Sequence, residues 1–175
     1  PNSFRHERLD RMKAEIHYPP PPDLLDGIVK DPEFKKTLGA MIKEHGEVYG
    51  TGYKPATRAR NAWYFAQLFR RLGVRHVHVH FANRATHTAL FLKKLGFTFS
   101  FTAHAQDFMF DLGSNALLSE MAQEAEFVVA VSDYSRDLLC EMCPESADKM
   151  IRIYNGIELD DFVPSVVKQR QPLRM

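Results

Sequence analysis

The residues best suited to chemistry lie in four short polar segments between positions 80 and 156. The candidates in these segments are His80, Asn83, His104, Asp107, Ser132, Arg136, Asn155 and Gly156. An imidazole such as that of His104 can hydrogen-bond a hydroxyl or a phosphate, and histidines change charge near neutral pH. Asp107 follows three residues later, so it either orients the His104 ring, binds a hydroxyl or caps local backbone amides. The spacing leaves these roles open.

Ser132 and Arg136 stand one helical turn apart at the start of an expected helix. Ser132 is most simply the cap of that helix. The free N–H groups and positive dipole of a helix start can also hold a phosphate, and Arg136 fits either role. Both residues are therefore candidates for substrate binding.

Three histidines, His76, His78 and His80, alternate along one expected strand. A period of two places the three imidazoles on one face, where they could share a metal ion. No carboxylate nearby adds a further ligand. The alternative is that His76 and His78 pack along the strand and only His80 reaches its end. We expect no metal site.

The hydrophobic pattern indicates the elements that must position these residues. We expect strands at 14–18, 74–81, 97–102, 127–131 and 150–154, and helices at 5–13, 31–45, 55–73, 83–96, 115–125 and 132–143. Four prolines at 19–22 interrupt the first part of the chain. Residues 47–54 and 104–107 are expected to be loops. The alternation after residue 74 predicts an α/β, Rossmann-like, doubly wound parallel sheet. The four polar segments then converge on one rim, at the carboxyl ends of the strands.

Composition sets broad limits on the class of protein. The chain has 175 residues, of which 45% are apolar, as suits a single globular domain. Residues 1–75 carry a net charge of +5 and residues 76–175 a net charge of −4. A basic first half can attract phosphate or an anionic membrane, whereas no motif indicates nucleic-acid binding.

No stretch reaches the length of a membrane span, and a cytoplasmic location is expected. Pro1 in place of Met predicts a fragment or a processed chain.

Four motifs occur in order: HVHVHFA (76–82), FSFTAHAQD (99–107), AEFVVAVSDY (125–134) and IYNGIELDDFVP (153–164). Together they resemble glycosyltransferase family 4, in particular its colanic-acid and exopolysaccharide branch. The resemblance is close over residues 74–164 and loose over the first 73. Any one of these motifs is weak, but four in order at matching spacing are specific.

The resemblance implies the N-terminal half of a two-domain GT-B enzyme that retains anomeric configuration and needs no metal or other cofactor. In this family the N-terminal domain mainly binds the acceptor, and the C-terminal domain binds the nucleotide-sugar. His104 matches the histidine that approaches the donor sugar, and Asp107 matches the acidic residue after it, so both are expected to be catalytic. Asn155-Gly156 matches the turn before the interdomain linker. Residues 1–158 would then form the domain and residues 159–175 the linker.

The expected function is hexosyl transfer from a nucleotide-sugar to a glycan or lipid-linked acceptor in polysaccharide biosynthesis. The expected location is the cytoplasm, with contact to the anionic inner face of the cell membrane as a further candidate. The family's donor pocket and glutamate pair lie in the other domain, so the chain alone is expected to be inactive. Two alternatives are a non-catalytic module that binds a phosphorylated or glycosylated ligand, and a metal-dependent hydrolase that uses His76, His78 and His80.

Overall fold

A computed structural model of the chain describes residues 13–157 and residue 159. The strands of its parallel sheet are β1 (His76–His80), β2 (Thr98–Ala103), β3 (Val128–Ala130) and β4 (Met150–Arg152). They pair in the order β1-β2-β3-β4, and every pair is parallel. The α/β class and the parallel sheet that the alternation predicts are confirmed.

Helices connect successive strands, as parallel pairing requires. The α-helices that the structure describes are α1 (Pro22–Leu25), α2 (Pro32–Val48), α3 (Pro55–Leu72), α4 (Arg84–Lys94), α5 (Asn115–Glu124) and α6 (Asp133–Met142). Short 3₁₀ turns add Ile28–Lys30, Thr51–Tyr53 and Pro144–Lys149. Within residues 13–157, no helix is both long and apolar enough to cross a membrane.

Local sequence fixes where the main helices begin. The side chains of Asp31, Asn83, Ser114 and Ser132 each accept a hydrogen bond from a backbone N–H in the first turn of the following helix. These caps satisfy donors that have no partner within the helix. At its other end, α3 stops at Gly73, whose φ of 71° is left-handed and suits glycine. The cap predicted at Ser132 is confirmed, and the helix expected from residue 83 is capped by Asn83.

Several boundaries differ from the expected ones in the first part of the chain. Residues 14–18 form no strand, and their side chains are exposed, so no packing supports an extended pairing. Helix α2 continues through Gly46 to Val48, because its buried side chain His45 holds this last part against α4. The expected loop 47–54 therefore shrinks and contains a 3₁₀ turn. The helix expected at 5–13 and the linker expected at 159–175 lie almost wholly outside the described residues.

The apolar core occupies one face of the sheet. Phe99, Phe101 and Ala103 of β2 point to this face, together with Val128 and Ala130 of β3, and all five are buried. They pack against leucines and Met121 on α4, α5 and α6. A second cluster lies between α2, α3 and α4, where buried alanines of α3 let the helices approach closely. The helices that follow β1, β2 and β3 pack on this face of the sheet, and their packing positions the loops at the rim.

Candidate functional site

The carboxyl ends of the strands lie at one edge because the sheet is parallel and in register. His80 at the end of β1 is aligned with Thr102 of β2. Immediately beyond these ends, the His80 and His104 rings stack with their centroids 6.3 Å apart. The Phe81 ring lies 5.2 Å from the His104 ring. The structure therefore brings His80 and His104 together at the rim.

Phe81 has an unusual backbone at this rim. Its φ of 80° is in the left-handed region, which side chains with a Cβ rarely adopt. Its N–H donates to Thr102 O at 2.9 Å, and its carbonyl accepts from Thr86 Oγ1 and the Asn83 N–H. These bonds hold the strained residue so that its ring is 49% exposed beside His104. Sequence reasoning missed Phe81, because no local pattern signals a strained phenylalanine.

Asp107 is a buried residue that holds two segments of the rim together. Its side chain is only 3% exposed, and Oδ2 accepts the Ala82 N–H at 2.8 Å and the His104 N–H at 3.0 Å. One carboxylate thus joins the segments that follow β1 and β2. Residues 104–107 are not a simple loop as expected, since Asp107–Asp111 form a π-helical turn. Of the roles left open, this geometry favours the capping of local amides, and a catalytic role of Asp107 stays a prediction.

Asn83 lies at the same end of the rim as His80 and His104. Its Oδ1 accepts the Ala85 N–H at 3.1 Å, so this oxygen caps α4. The cap fixes the first turn of α4 next to the rim. A substrate contact of Asn83 would have to use the rest of its amide, and it remains a prediction.

The β3–β4 half of the rim is held by a helix cap and by ion pairs at the surface. Ser132 Oγ accepts the Ser135 N–H at 3.1 Å and caps α6. Arg136, one turn later, directs its guanidinium to its neighbour Asp137 at 2.7 Å. Hydrogen bonding to Asp137 and the charge of that carboxylate raise the pKa of Arg136. Arg136 stands on the solvent side of α6, and its predicted phosphate contact is untested.

Surface contacts connect α6 to the end of β4. Asp133 accepts from Arg152 Nε at 2.9 Å and from Tyr154 Oη at 2.8 Å, and the Arg152 guanidinium lies over the Tyr154 ring. Asn155 and Gly156 follow as exposed coil. Three steps between adjacent strands, each about 4.8 Å, separate this end from the β1 end. Ser132 follows β3, one strand from β2, and Asn155 and Gly156 follow β4, so all three share the edge with His104, which follows β2.

The histidine stripe of β1 faces the hydroxyl side chains of β2. His76 and His78 both lie within 2.8 Å of Ser100 Oγ through one ring nitrogen, and their other nitrogens meet Thr98 and Thr102. Burial lowers the pKa of His78, and the neighbouring rings of His80 and His76 lower it further. In the described part of the chain, no three histidine, cysteine or acidic side chains are arranged to hold a metal ion. The described residues thus offer no geometry that supports the hydrolase alternative.

A second polar cluster lies behind the rim and was not foreseen from the sequence. His45 Nδ1 is 2.9 Å from His87 Nε2, and His45 Nε2 is 3.3 Å from Glu120. The Tyr49 hydroxyl donates to the other Glu120 oxygen at 2.8 Å. His45, His87 and Glu120 come from α2, α4 and α5, and Tyr49 directly follows α2, so no sequence spacing joins the three helices.

Burial controls the charges in this cluster. It lowers the pKa of His87 to about 4, with the proximity of His45 as the next cause. It also raises the pKa of Tyr49, as does the hydrogen bond to Glu120. Burial would raise the pKa of Glu120 as well, but the hydrogen bonds from His45 and Tyr49 outweigh it and hold that pKa below its usual value. His87 is therefore neutral at pH 7, and Glu120 is ionised.

The parallel sheet with its connecting helices is of the Rossmann-like class, in which ligands bind at the carboxyl ends of the strands. The family model described as Glycosyltransferase Family 4 matches residues 14–161. The match spans most of the chain and covers all four strands and the rim. The chain belongs to this family, and it is a glycosyltransferase-type domain. No curated protein matches it significantly.

Proposed function

We propose that this chain is the acceptor-side, N-terminal domain of a retaining glycosyltransferase that transfers a hexosyl group from a nucleotide-sugar. The acceptor would be a glycan or a lipid-linked glycan in polysaccharide biosynthesis. The observation that carries the proposal is the position of His104, held at the rim through its backbone by Asp107 and flanked by His80 and Phe81. Family membership supports sugar transfer as the reaction class.

In the proposed reaction, an acceptor hydroxyl attacks the anomeric carbon from the face that the nucleoside diphosphate leaves. A new carbon–oxygen bond forms as the bond to the diphosphate breaks, and the hydroxyl proton passes to a leaving phosphate oxygen. His104 hydrogen-bonds the donor sugar and stabilises charge that develops in the transition state. Asp107 acts as a positioning residue, because its carboxylate is occupied by two backbone amides.

The remaining candidates have supporting roles in this proposal. His80 and Asn83 bind the acceptor on the β1 side. Ser132, Arg136, Asn155 and Gly156 form the opposite end of the wall, where the first turn of α6 faces the phosphates. No metal or other cofactor takes part, and the nucleotide-sugar is a substrate.

The sharpest test measures which substrate the 175-residue chain binds. Isothermal titration of the chain with nucleotide-sugars and with lipid-linked or free glycans should show acceptor binding and only weak donor binding. The reason is that the proposal places the main donor contacts on another domain. Full-strength donor binding by this chain would contradict the division of roles.

The alternative is a non-catalytic module that binds a phosphorylated or glycosylated ligand. A cavity beside the first turn of α4 supports ligand binding, which this candidate requires and the enzyme shares. Measurements of transfer and of binding on the complete protein that carries this domain distinguish the two proposals. Sugar transfer that depends on His104 supports the enzyme, whereas ligand binding without any transfer supports the module.

Contact with an anionic membrane is a further part of the proposal. Helix α3 carries Arg58, Arg60, Arg70 and Arg71 among aromatic residues, which suits an anionic surface. Two of these arginines already have protein partners, since Arg60 pairs with Asp26 and Arg70 donates to a backbone carbonyl. Co-sedimentation with vesicles containing phosphatidylglycerol tests the contact, and equal binding to neutral vesicles would contradict it. A cytoplasmic location follows from the same proposal.

A further inference from the structure

A cavity of about 560 Å³ opens beside the first turn of α4. Its lining includes Gly52 and Tyr53 from the 3₁₀ turn, Asn83, Arg84 and His87 from the start of α4, and Asp111 from the end of the π-helical turn. The volume is within the range of small-molecule sites. Neither His104 nor Asp107 lines the cavity, whereas Asn83 lines it and also belongs to the proposed acceptor wall.

One wall of the cavity is positively charged through Arg84 and the start of α4. Helix α4 begins at Arg84, its N-terminal dipole favours anions, and its first turn contains no acidic residue. Arg84 forms no ion pair within the described residues, whose paired arginines are Arg60, Arg136 and Arg152. Burial lowers the pKa of nearby Arg58, and the charge of Arg84 lowers it further. A bound anion would relieve this concentration of positive charge.

His87 supplies an independent sign of a ligand. The residue is 1% exposed and lines the cavity. Nε2 is hydrogen-bonded to His45, but Nδ1 is buried and has no partner. A buried polar atom without a partner is destabilising, and most such atoms in folded proteins are satisfied. A ligand in the cavity would provide the missing hydrogen bond.

Asp111, which also lines the cavity, limits the kinds of ligand that fit it. Asp111 accepts from Gln106 Nε2 at 3.0 Å, which leaves carboxylate lone pairs available. A bare anion would be repelled by Asp111, and a neutral sugar would leave Arg84 unpaired. A molecule with both an anionic group and hydroxyl groups satisfies both walls, because hydroxyls donate to carboxylates and anions pair with guanidinium groups.

We propose that this cavity binds a sugar that carries a phosphate or carboxylate group. The anion lies at Arg84 and the first turn of α4, a hydroxyl donates to Asp111, and the ligand completes the hydrogen bonding of His87 Nδ1. That this ligand is the acceptor or part of it rests on the proposed function, whereas the site itself does not.

The test is an NMR titration of the ¹⁵N-labelled 175-residue chain with glucose 6-phosphate, glucuronate, glucose and inorganic phosphate. At least one of the two anionic sugars should bind about tenfold more tightly than glucose and than inorganic phosphate, a factor of ten being about 1.4 kcal/mol. Shifts should centre on the amides of Gly52, Arg84 and Asp111, and the His87 Nδ1 resonance should move. Which anionic sugar binds more tightly identifies the anion.

Matched variants locate the site on the helix. Arg84→Gln should weaken binding of the anionic sugar about tenfold or more, because one charge-assisted pair is lost. Lys94→Gln, which removes a cation from the other end of α4, should change the affinity less than twofold. Equal weakening by both variants, or equal binding of glucose and the anionic sugars, would overturn the proposal.

The binding test of this cavity and the transfer test of the proposed function can give different results. Binding is measured at equilibrium in this chain, whereas transfer is measured through His104 in the complete protein. Transfer that depends on His104 without anionic-sugar binding would overturn only the present inference. Binding without transfer would uphold it and overturn the proposed reaction.

Discussion

The β1–β2 half of the rim is held by buried contacts, whereas the β3–β4 half relies on exposed ones. Asp107 is 3% exposed and joins two loops through backbone amides. Arg136 and Asp133, at the other half, form ion pairs at the surface. Exposed ion pairs contribute little because water screens them, whereas hydrogen bonds to charged groups contribute about 1.5–3 kcal/mol. The first half is therefore preorganised, and the second is adjustable.

Preorganisation fits the proposed division of labour. A group that stabilises a transition state must already be in place when charge develops. His104 meets this requirement, because its backbone is fixed by Asp107 and its ring is flanked by His80 and Phe81. In the proposal the β3–β4 half contacts a phosphate, and such a contact can tolerate the looser support of Ser132 and Arg136.

The largest expected effect tests the preorganised half directly. His104→Ala should lower kcat for sugar transfer about 100- to 1000-fold in the complete protein, because a preorganised hydrogen bond to the reacting sugar is lost. The melting temperature should change little, since the ring lies at the rim. Turnover by the variant is measured beside His76→Ala, which removes an imidazole from the opposite end of β1. Equal losses in both variants would refute the assignment of His104.

The buried histidine behind the same half should make stability depend on pH. Burial lowers the pKa of His87 to about 4 from the usual 6.5, so the unfolded chain binds more protons between these values. Stability should therefore be highest above about pH 6.5 and fall by on the order of 3 kcal/mol toward pH 4 through this group. His45, Glu120 and Arg58 are the charged or titratable groups that act on it.

Urea unfolding of the wild-type chain and His87→Gln across this range isolates that contribution. Gln does not titrate, so the stability difference between the two chains should grow as the pH rises from 4 to 6.5. A difference that is constant with pH would show that the His87 pKa is not lowered in the folded chain.

Paired substitutions in the two halves give the next largest effect. Asp107→Ala should destabilise the chain by about 2–3 kcal/mol, because two backbone amides lose their acceptor. Ser132→Ala, which removes a single helix cap, should cost about 1 kcal/mol. Thermal unfolding measures both, and Asp107→Asn, which retains an acceptor oxygen, should recover part of the loss. Similar losses of stability from Asp107→Ala and Ser132→Ala would contradict the difference between the two halves of the rim.

The smallest expected effect concerns the strained backbone at Phe81. Phe81→Gly should be about 1 kcal/mol more stable than Phe81→Ala, because glycine adopts a φ of 80° without a Cβ clash. Both variants lose the ring beside His104, so both should bind acceptor more weakly than wild type. Equal stability of the two variants in denaturant unfolding would show that the backbone at Phe81 is relaxed.

Strongly patterned segments after residue 74 were predictable. The alternating run of β1, the caps at Asn83 and Ser132, and the short apolar β3 follow from periodicity and capping chemistry. The first part of the chain was less predictable. Gly46 indicated a helix end, yet packing around His45 carries α2 two residues beyond it. A single glycine in a helix costs about 1 kcal/mol, which tertiary contacts readily offset.

The sequence by itself determined the order of elements, the parallel sheet and the set of residues that end its strands, because these depend on local periodicity and on the crossovers that parallel strands require. Only the tertiary structure decided how those residues are used. It joined Ala82 and His104 through Asp107, set Phe81 in a left-handed backbone, and brought His45, His87 and Glu120 together from three helices. Such contacts join distant parts of the chain, and no local pattern records them.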